Sequence, residues 1–257
     1  MIPKRAFLIS FIFLLLACSK EKENPITPPA QSGSMTFRVE TPDLSKASLE
    51  GLAIHFEEGD LMAIWDGKAL RKFEAKNSSE GLVFIGEAVS TDTYWAFYPW
   101  SEDCLQMPVT GTPVFNASIP RVQNAREGSF AAASNIGVGK GGSDHVIRMR
   151  NVCGILKFSL PSADVPALAP GSLTQMTLTS SAGVKLSGDF KVSLDVNADP
   201  VILSSPKAEG DESVLISFDR ECPKAGGEYY YSVMPCDLSG GIRIECARSA
   251  DSAIGIK

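Results

Sequence analysis

The sequence is poor in histidine. Only His55 and His145 stand among 257 residues, and neither belongs to a His-Glu-x-x-His pair or another ligand spacing. That scarcity excludes His-rich metal sites and His-dependent relays. A basic excess is missing too. The formal net charge is −6, so there is no electrostatic footprint for a nucleic-acid groove, and no nucleic-acid partner is expected. No apolar run reaches the ~18 residues of a membrane-spanning helix. No segment carries a helical apolar stripe over three turns, and no Gly-x-Ser-x-Gly elbow is present. Hydrophobic residues make up 44% and charged residues 21%, which excludes a disordered or collagen-like chain.

Two ligand loops are approached and missed. A phosphate loop needs Gly-x4-Gly-Lys-Ser/Thr. Here Ser134 stands in place of the first glycine and Gly141 in place of the hydroxyl residue. Gly137 to Gly142, at the end of a Gly-, Ser- and Asn-rich stretch from Val122 to Asp144, therefore reads as a flexible loop. Asp195-x-Asn197-x-Asp199 opens like a Ca²⁺ loop, but Pro200 takes the place of the turn glycine and Pro206 that of the bidentate Glu. It reads as a turn between strands. The adjacent carboxylates Glu57 and Glu58 point to opposite faces of an extended chain and are expected in solvent. No catalytic residue, metal ligand or cofactor is expected, and the chain is not expected to be an enzyme. Each histidine reads as a hydrogen-bonded strand residue.

What is present begins at the N-terminus. Lys4-Arg5 precedes the uncharged run Ala6 to Ala17, about 18 Å long as a helix and too short for a bilayer core. This is the layout of a secretory signal. Leu15-Leu16-Ala17-Cys18 resembles a bacterial lipobox, which implies cleavage between Ala17 and Cys18 and lipid attachment to Cys18. Two or three acyl chains anchor stably where one does not. Ser19-Lys20-Glu21-Lys22-Glu23 resembles a surface-export signal, and Asn24 to Ser34 reads as a Pro-rich tether. Residues 1–17 are thus a signal peptide and 18–34 a lipidated tether. The expected location is the outer membrane, at the cell surface. With Lys4 and Arg5 removed, 22 of the 24 basic residues remain against 30 acidic ones, a net charge of −8.

Of the six cysteines, five remain after lipidation, so one stays unpaired whatever the pairing. Their spacing fits no zinc pattern. Cys153 reads as a buried thiol. Cys222, Cys236 and Cys246 are near enough in sequence for a disulfide that the spacing does not assign.

From Met35 onward, apolar residues alternate with polar ones at period two. Leu156, Phe158 and Leu160 form one such set. Further sets are Met176 and Leu178; Val184 and Leu186; Phe190, Val192 and Leu194; Val214, Ile216 and Phe218; Tyr229, Tyr231 and Val233; Ile242 and Ile244. The N-terminal half is less regular, with candidates at Met35–Val39, Leu52–Phe56, Leu61–Trp65, Ala69–Phe73, Leu82–Ile85 and Tyr94–Tyr98. Asp66-Gly67 marks a hairpin turn. The pattern predicts an all-β chain with a boundary near residue 143, an N-terminal β-sandwich over 35–143 and a C-terminal one over 144–257.

Five segments, in order, resemble the fimbrillin-like lipoproteins, the type V pilus subunits. They are Phe56 to Trp65 (FEEGDLMAIW), Tyr94 to Pro99 (YWAFYP), Ile119 to Gln123 (IPRVQ), Asn151 to Phe158 (NVCGILKF) and Tyr229 to Pro235 (YYYSVMP). The resemblance implies two tandem transthyretin-like sandwiches and a structural or adhesive role in a pilus. It also implies partner subunits that dock by strand addition. Shaft subunits of that family lose a first strand after cleavage at an Arg. The corresponding link, Thr41–Gly51, has no Arg. Lys46 is its one basic residue, and Arg38 lies inside the strand, so these two are the available maturation sites. The chain stops soon after Ile242–Glu245, where family members continue into strands that include the donor, so the expectation is either an incomplete second sandwich or a subunit that does not donate. The alternative expectation is a monomeric surface lipoprotein that binds a host protein or a host or dietary glycan. Trp100 would then be the exposed platform, since Trp65 and Trp95 sit in strand patterns. Asp251-Ser252-Ala253 resembles a short O-glycosylation acceptor at Ser252.

Overall fold

The computed structural model describes residues 32–41, 56–79, 81–106, 111–131, 134–159, 173–203, 210–218, 226–248 and 254–256. All regular structure among them is strand, and the all-β expectation holds. The first five strands are β1 (Gly33–Glu40), β2 (Leu61–Trp65), β3 (Leu70–Ser78), β4 (Gly81–Ala88) and β5 (Tyr94–Tyr98). Next come β6 (Leu105–Gln106), β7 (Val114–Ile119), β8 (Val122–Asn124), β9 (Gly137–Gly141), β10 (Val146–Asn151) and β11 (Gly154–Ser159). The rest are β12 (Leu173–Ser180), β13 (Gly188–Leu194), β14 (Pro200–Ile202), β15 (Ser213–Ser217), β16 (Glu228–Val233), β17 (Ile242–Arg248) and β18 (Ile254–Ile256).

Seven strands close a barrel in the order β1-β10-β9-β5-β2-β3-β4. The N-terminal strands thus close into a barrel, where the sequence predicts a β-sandwich. The cause is β1, which pairs on both sides: antiparallel with β4 through Gly33↔Ala88 to Arg38↔Val83, and parallel with β10 through Arg38↔Val146 to Glu40↔Arg148. A strand paired on both sides leaves no edge there, so the sheet closes. Phe37, Met62, Ile64, Phe73, Phe84, Tyr94, Ile147 and Met149 fill the interior. Phe37 meets Phe73 and Tyr94 edge-on, at centroid distances of 5.3 and 4.7 Å.

The irregular N-terminal patterning has a physical reason. β2, β5 and β9 are buried on both faces. Met62 and Ile64 point into the barrel, while Ala63, Phe97 and Val138 point outward into a second core. That core is completed by Phe115, Ala117 and Ile119 of β7 and Phe190, Val192 and Leu194 of β13, from the sheet β14-β13-β7-β6. Strands buried on both faces read as continuous apolar runs and lose the alternation.

The glycine-rich run expected as a flexible loop is instead β9. A Cβ on Gly139 would lie 2.5 Å from Met149 Sδ and 2.8 Å from the Arg148 carbonyl oxygen; one on Gly141 would lie 3.0 Å from Ile147 Cδ1. Large side chains already occupy that part of the interior, so this wall is bare backbone. His145 also departs from expectation. It lies in the turn ahead of β10 with φ of 55°, its N–H donating to Gly142 O at 3.1 Å. Val184 and Leu186 lie outside any strand, and an isolated bridge from Ser187 to Asp211 leads into β13.

A third core lies between the sheet β18-β17-β12-β15-β8 and the ribbon β11-β16. Met176, Leu178, Val214, Ile216 and Cys246 face Tyr229, Tyr231 and Val233 across it. The expected boundary at 143/144 falls in the turn between barrel strands β9 and β10. Before that point, β7 pairs with β13 and β8 with β15. The stretch Gln31–Lys257 forms one unit.

Candidate functional site

A cleft of about 390 Å³ opens where the Phe56–Trp65 and Tyr94–Trp100 segments meet the loop after β8. The turn before β2 supplies Glu57, Gly59 and Asp60, and β2 its first residue, Leu61. The end of β5 supplies Tyr98, Pro99 and Trp100. Arg126, Gly128, Ser129, Phe130, Ala131 and Asn135 complete the lining. The turn is tied down locally: Glu57 N–H donates to Asp60 Oδ2 at 2.8 Å, Asp60 N–H to Glu57 O at 3.1 Å, and Gly59 N–H to Ala75 O at 2.9 Å. Phe56 fixes Tyr98 edge-on at 5.0 Å, and Trp100 N–H donates to Leu61 O at 2.9 Å.

The electrostatics are mixed. Glu57 pairs with Arg126 at the rim, with both side chains more than half exposed, so the pair contributes little to stability. Burial pushes the Tyr98 phenol well above its ordinary value, and the Asp60 and Glu57 carboxylates push it further. The phenol stays protonated beside these carboxylates. At the floor, Asn135 is 8% exposed. Cys153 N–H donates to Asn151 Oδ1 at 2.6 Å, and Asn151 Nδ2 donates to Asn135 Oδ1 at 2.7 Å. This chain fixes both amide orientations. Asn135 Nδ2 has no hydrogen-bond partner among the described residues and, unlike Ser232 Oγ, is not sealed from solvent.

A second feature is a strand edge. Gln123, 1% exposed, holds one side of β16: its Nε2 donates to Ser232 O at 2.7 Å and its Oε1 accepts from Ser232 N–H at 3.0 Å. Gly128 N–H donates to Glu228 O at 2.8 Å on the same side. Glu228 and Ser232 thus turn their peptide groups away from β11. In the register Ser159↔Glu228, Lys157↔Tyr230, Ile155↔Ser232, the main-chain groups of Ile155, Lys157 and Ser159 also point outward. Among the described residues nothing pairs with that edge. Lys157, a charge of the kind that blocks edge pairing, is drawn back over its own ribbon to Glu228 at 2.6 Å.

The sequence-predicted residues fall in different places. Ala17, Cys18, Lys46, His55, Leu160, Cys222 and Ser252 lie outside the described residues. Arg38 is exposed in mid-β1, its N–H donating to His145 O at 3.0 Å. A protease needs an extended, unpaired segment, so cleavage there requires the barrel to open. An Arg-specific protease is expected to leave Arg38–Val39 intact in the folded protein at doses that cut the urea-unfolded chain. Fragment masses check this, and rapid release of the segment ending at Arg38 would contradict it.

Trp100 is half-buried, lines the cleft, and carries Lys72 Nζ 5.8 Å from its ring centroid. Trp65 and Trp95 are cross-strand neighbours on the outer barrel face, half-buried, with Lys140 Nζ 4.9 Å from the Trp95 ring. Glu58 takes a hydrogen bond from Asn77 at 2.7 Å, while the adjacent Glu57 turns to the cleft. Cys104, Cys153, Cys236 and Cys246 are free thiols. Burial pushes the Cys153 thiol up to about 12, so it is inert at neutral pH. No group of three metal-ligating side chains occurs among the described residues.

Asp60, Tyr98, Arg126, Phe130 and Asn135 were not marked by the sequence as a site. They come from four separate segments, and no local spacing joins them. The only signal was the co-occurrence of the two aromatic segments. In comparisons with known proteins, no family model matches the chain and no curated protein matches it.

Proposed function

We propose that the protein is a surface-anchored lipoprotein of fimbrillin-like type, a structural or adhesive subunit in an assembly built by strand addition. One observation carries the reading: among the described residues nothing pairs with the outer edge of the six-residue strand β11, whose one basic side chain is folded away. Such an edge accepts main-chain hydrogen bonds from an incoming strand, and its alternate side chains set the register. The segments that carry the family resemblance support it as well. The Gln123 amide holds the β16 strand of Tyr229 to Val233, and Phe56 packs on Tyr98. In this reading the barrel and the layered β11-to-β18 region stand where the family has its two sandwiches. The closed barrel makes β1 a poor strand to lose, so the receiving edge is β11.

The anchor is tested by Cys18→Ser. Wild-type protein made in a Gram-negative host is expected to incorporate labelled fatty acid and to fractionate with the outer membrane. The variant is expected to lose the label and to leave that fraction. Unchanged fractionation without label would remove the lipid anchor from this account.

A further inference from the structure

We infer that the cleft beside Tyr98 and Trp100 binds a neutral sugar ring. This inference is independent of strand addition, because the cleft and the β11 edge share no residue. An apolar ligand would cover Asn135 Nδ2 without giving it a partner, and a donor buried unpaired is costly. An anion would face the Glu57 and Asp60 carboxylates, and the one guanidinium at the cleft, Arg126, is already paired with Glu57. A cation would be repelled by the Arg126 guanidinium, and both carboxylates are already engaged, Glu57 by Arg126 and Asp60 by the Glu57 N–H at 2.8 Å.

What fits is an uncharged ring that both donates and accepts along its edge and presents C–H bonds on its face. A pyranose does this. Its hydroxyls can accept from Asn135 Nδ2 and donate to the rim carboxylates. Its C–H face can lie on an aromatic wall, whose π-face is negative. Trp100, Tyr98 and the 7%-exposed Phe130 supply such walls. The volume of about 390 Å³ lies within the ~300–1,000 Å³ of small-molecule sites. The Glu57 N–H, donating to Asp60 Oδ2 at 2.8 Å, positions that carboxylate.

The test is tryptophan fluorescence and ligand-observed NMR on the folded chain. The probes are glucose, galactose, mannose and N-acetylglucosamine, with glucuronate and glucosamine as charged comparators. At least one neutral sugar is expected to bind with Kd of about 10 mM or tighter, and at least about tenfold more tightly than either comparator. Trp100→Ala is expected to weaken binding about tenfold or more, and Trp100→Phe to restore part of it. Arg126→Ala, at the exposed rim, reads the same site if Trp100→Ala does not fold. Three outcomes would overturn the inference: no binding of any neutral probe at about 50 mM, equal binding of glucuronate or glucosamine, or binding that these substitutions leave unchanged.

Discussion

Asp66→Ala is expected to destabilise the protein by about 3–5 kcal/mol, the largest single-residue loss outside the aromatic core. Asp66 begins as a turn residue, the first half of Asp66-Gly67 between β2 and β3. Its side chain is fully buried and accepts four hydrogen bonds: Lys68 N–H at 2.9 Å, Ala69 N–H at 2.8 Å, Val89 N–H at 3.0 Å and Arg71 Nε at 2.9 Å. One carboxylate thus ties the hairpin turn to the chain just after β4, at one end of the barrel. Alanine would leave three main-chain donors and a partly buried guanidinium without their acceptor. Each lost donor bond costs ~1–3 kcal/mol, and the losses overlap. Asp66→Asn keeps an acceptor for part of the set and is expected to cost about half as much. Denaturant midpoints at neutral pH check both, and a loss below about 1 kcal/mol for Asp66→Ala would contradict the role given to the carboxylate.

The same group makes stability depend on pH. Burial alone would raise the Asp66 pKa, but the bonds from Val89, Ala69, Arg71 and Lys68 outweigh it and hold the carboxyl below its ordinary value. A lowered folded-state pKa means that the unfolded chain takes up the proton first. The stabilisation is therefore full above the unfolded value, about 4, and is lost as pH falls through the folded value. Asp66→Asn is expected to flatten the acid limb of the stability profile. An acid limb as steep as in wild type would contradict this.

Lys157→Pro is expected to abolish assembly while the chain still folds. The Lys157 N–H points to the open edge, so its loss leaves the β11–β16 ladder at Gly154, Leu156 and Phe158 in place. Proline is tolerated on such an edge, yet it removes the donor and puts a ring where the added strand must lie. Lys157→Ala is the control. It loses only the exposed pair to Glu228 and keeps the N–H, so it is expected to assemble. Sedimentation of surface-extracted protein is expected to show an assembled fraction about tenfold lower or less for the proline variant alone. Assembly of Lys157→Pro at the wild-type level would exclude β11 as the receiving edge.

Most strands of the C-terminal half were legible because one face is more open to solvent; β16 is the exception, with Tyr230 and Ser232 buried like Tyr229 and Tyr231. Phe190, Val192 and Leu194, and Met176 and Leu178, alternate as half-buried strands must, and they form β13 and β12. β2 and β5 were found from composition with the right limits, but their second buried face was not, because continuous burial removes the period that reports it. β9 was hidden altogether. Its glycines give no hydrophobic signal, and their role depends on Met149 and Ile147 from the next strand. Barrel closure was illegible for a related reason, since it rests on β1 pairing in parallel with a strand about a hundred residues later. At the cleft, Trp100 was legible as a loop aromatic. Asn135 was not, because its orientation is set by Asn151 and Cys153 across a turn.

The most direct measurement of the central claim is amide hydrogen exchange along β11, in the isolated chain and in material taken from the cell surface. In the isolated chain, Ile155, Lys157 and Ser159 are expected to exchange fast, while Leu156 and Phe158, bonded to β16, are protected. In surface material the first three are expected to become protected as well, as they must if a strand has been added. Fast exchange of Ile155, Lys157 and Ser159 in both forms would contradict it.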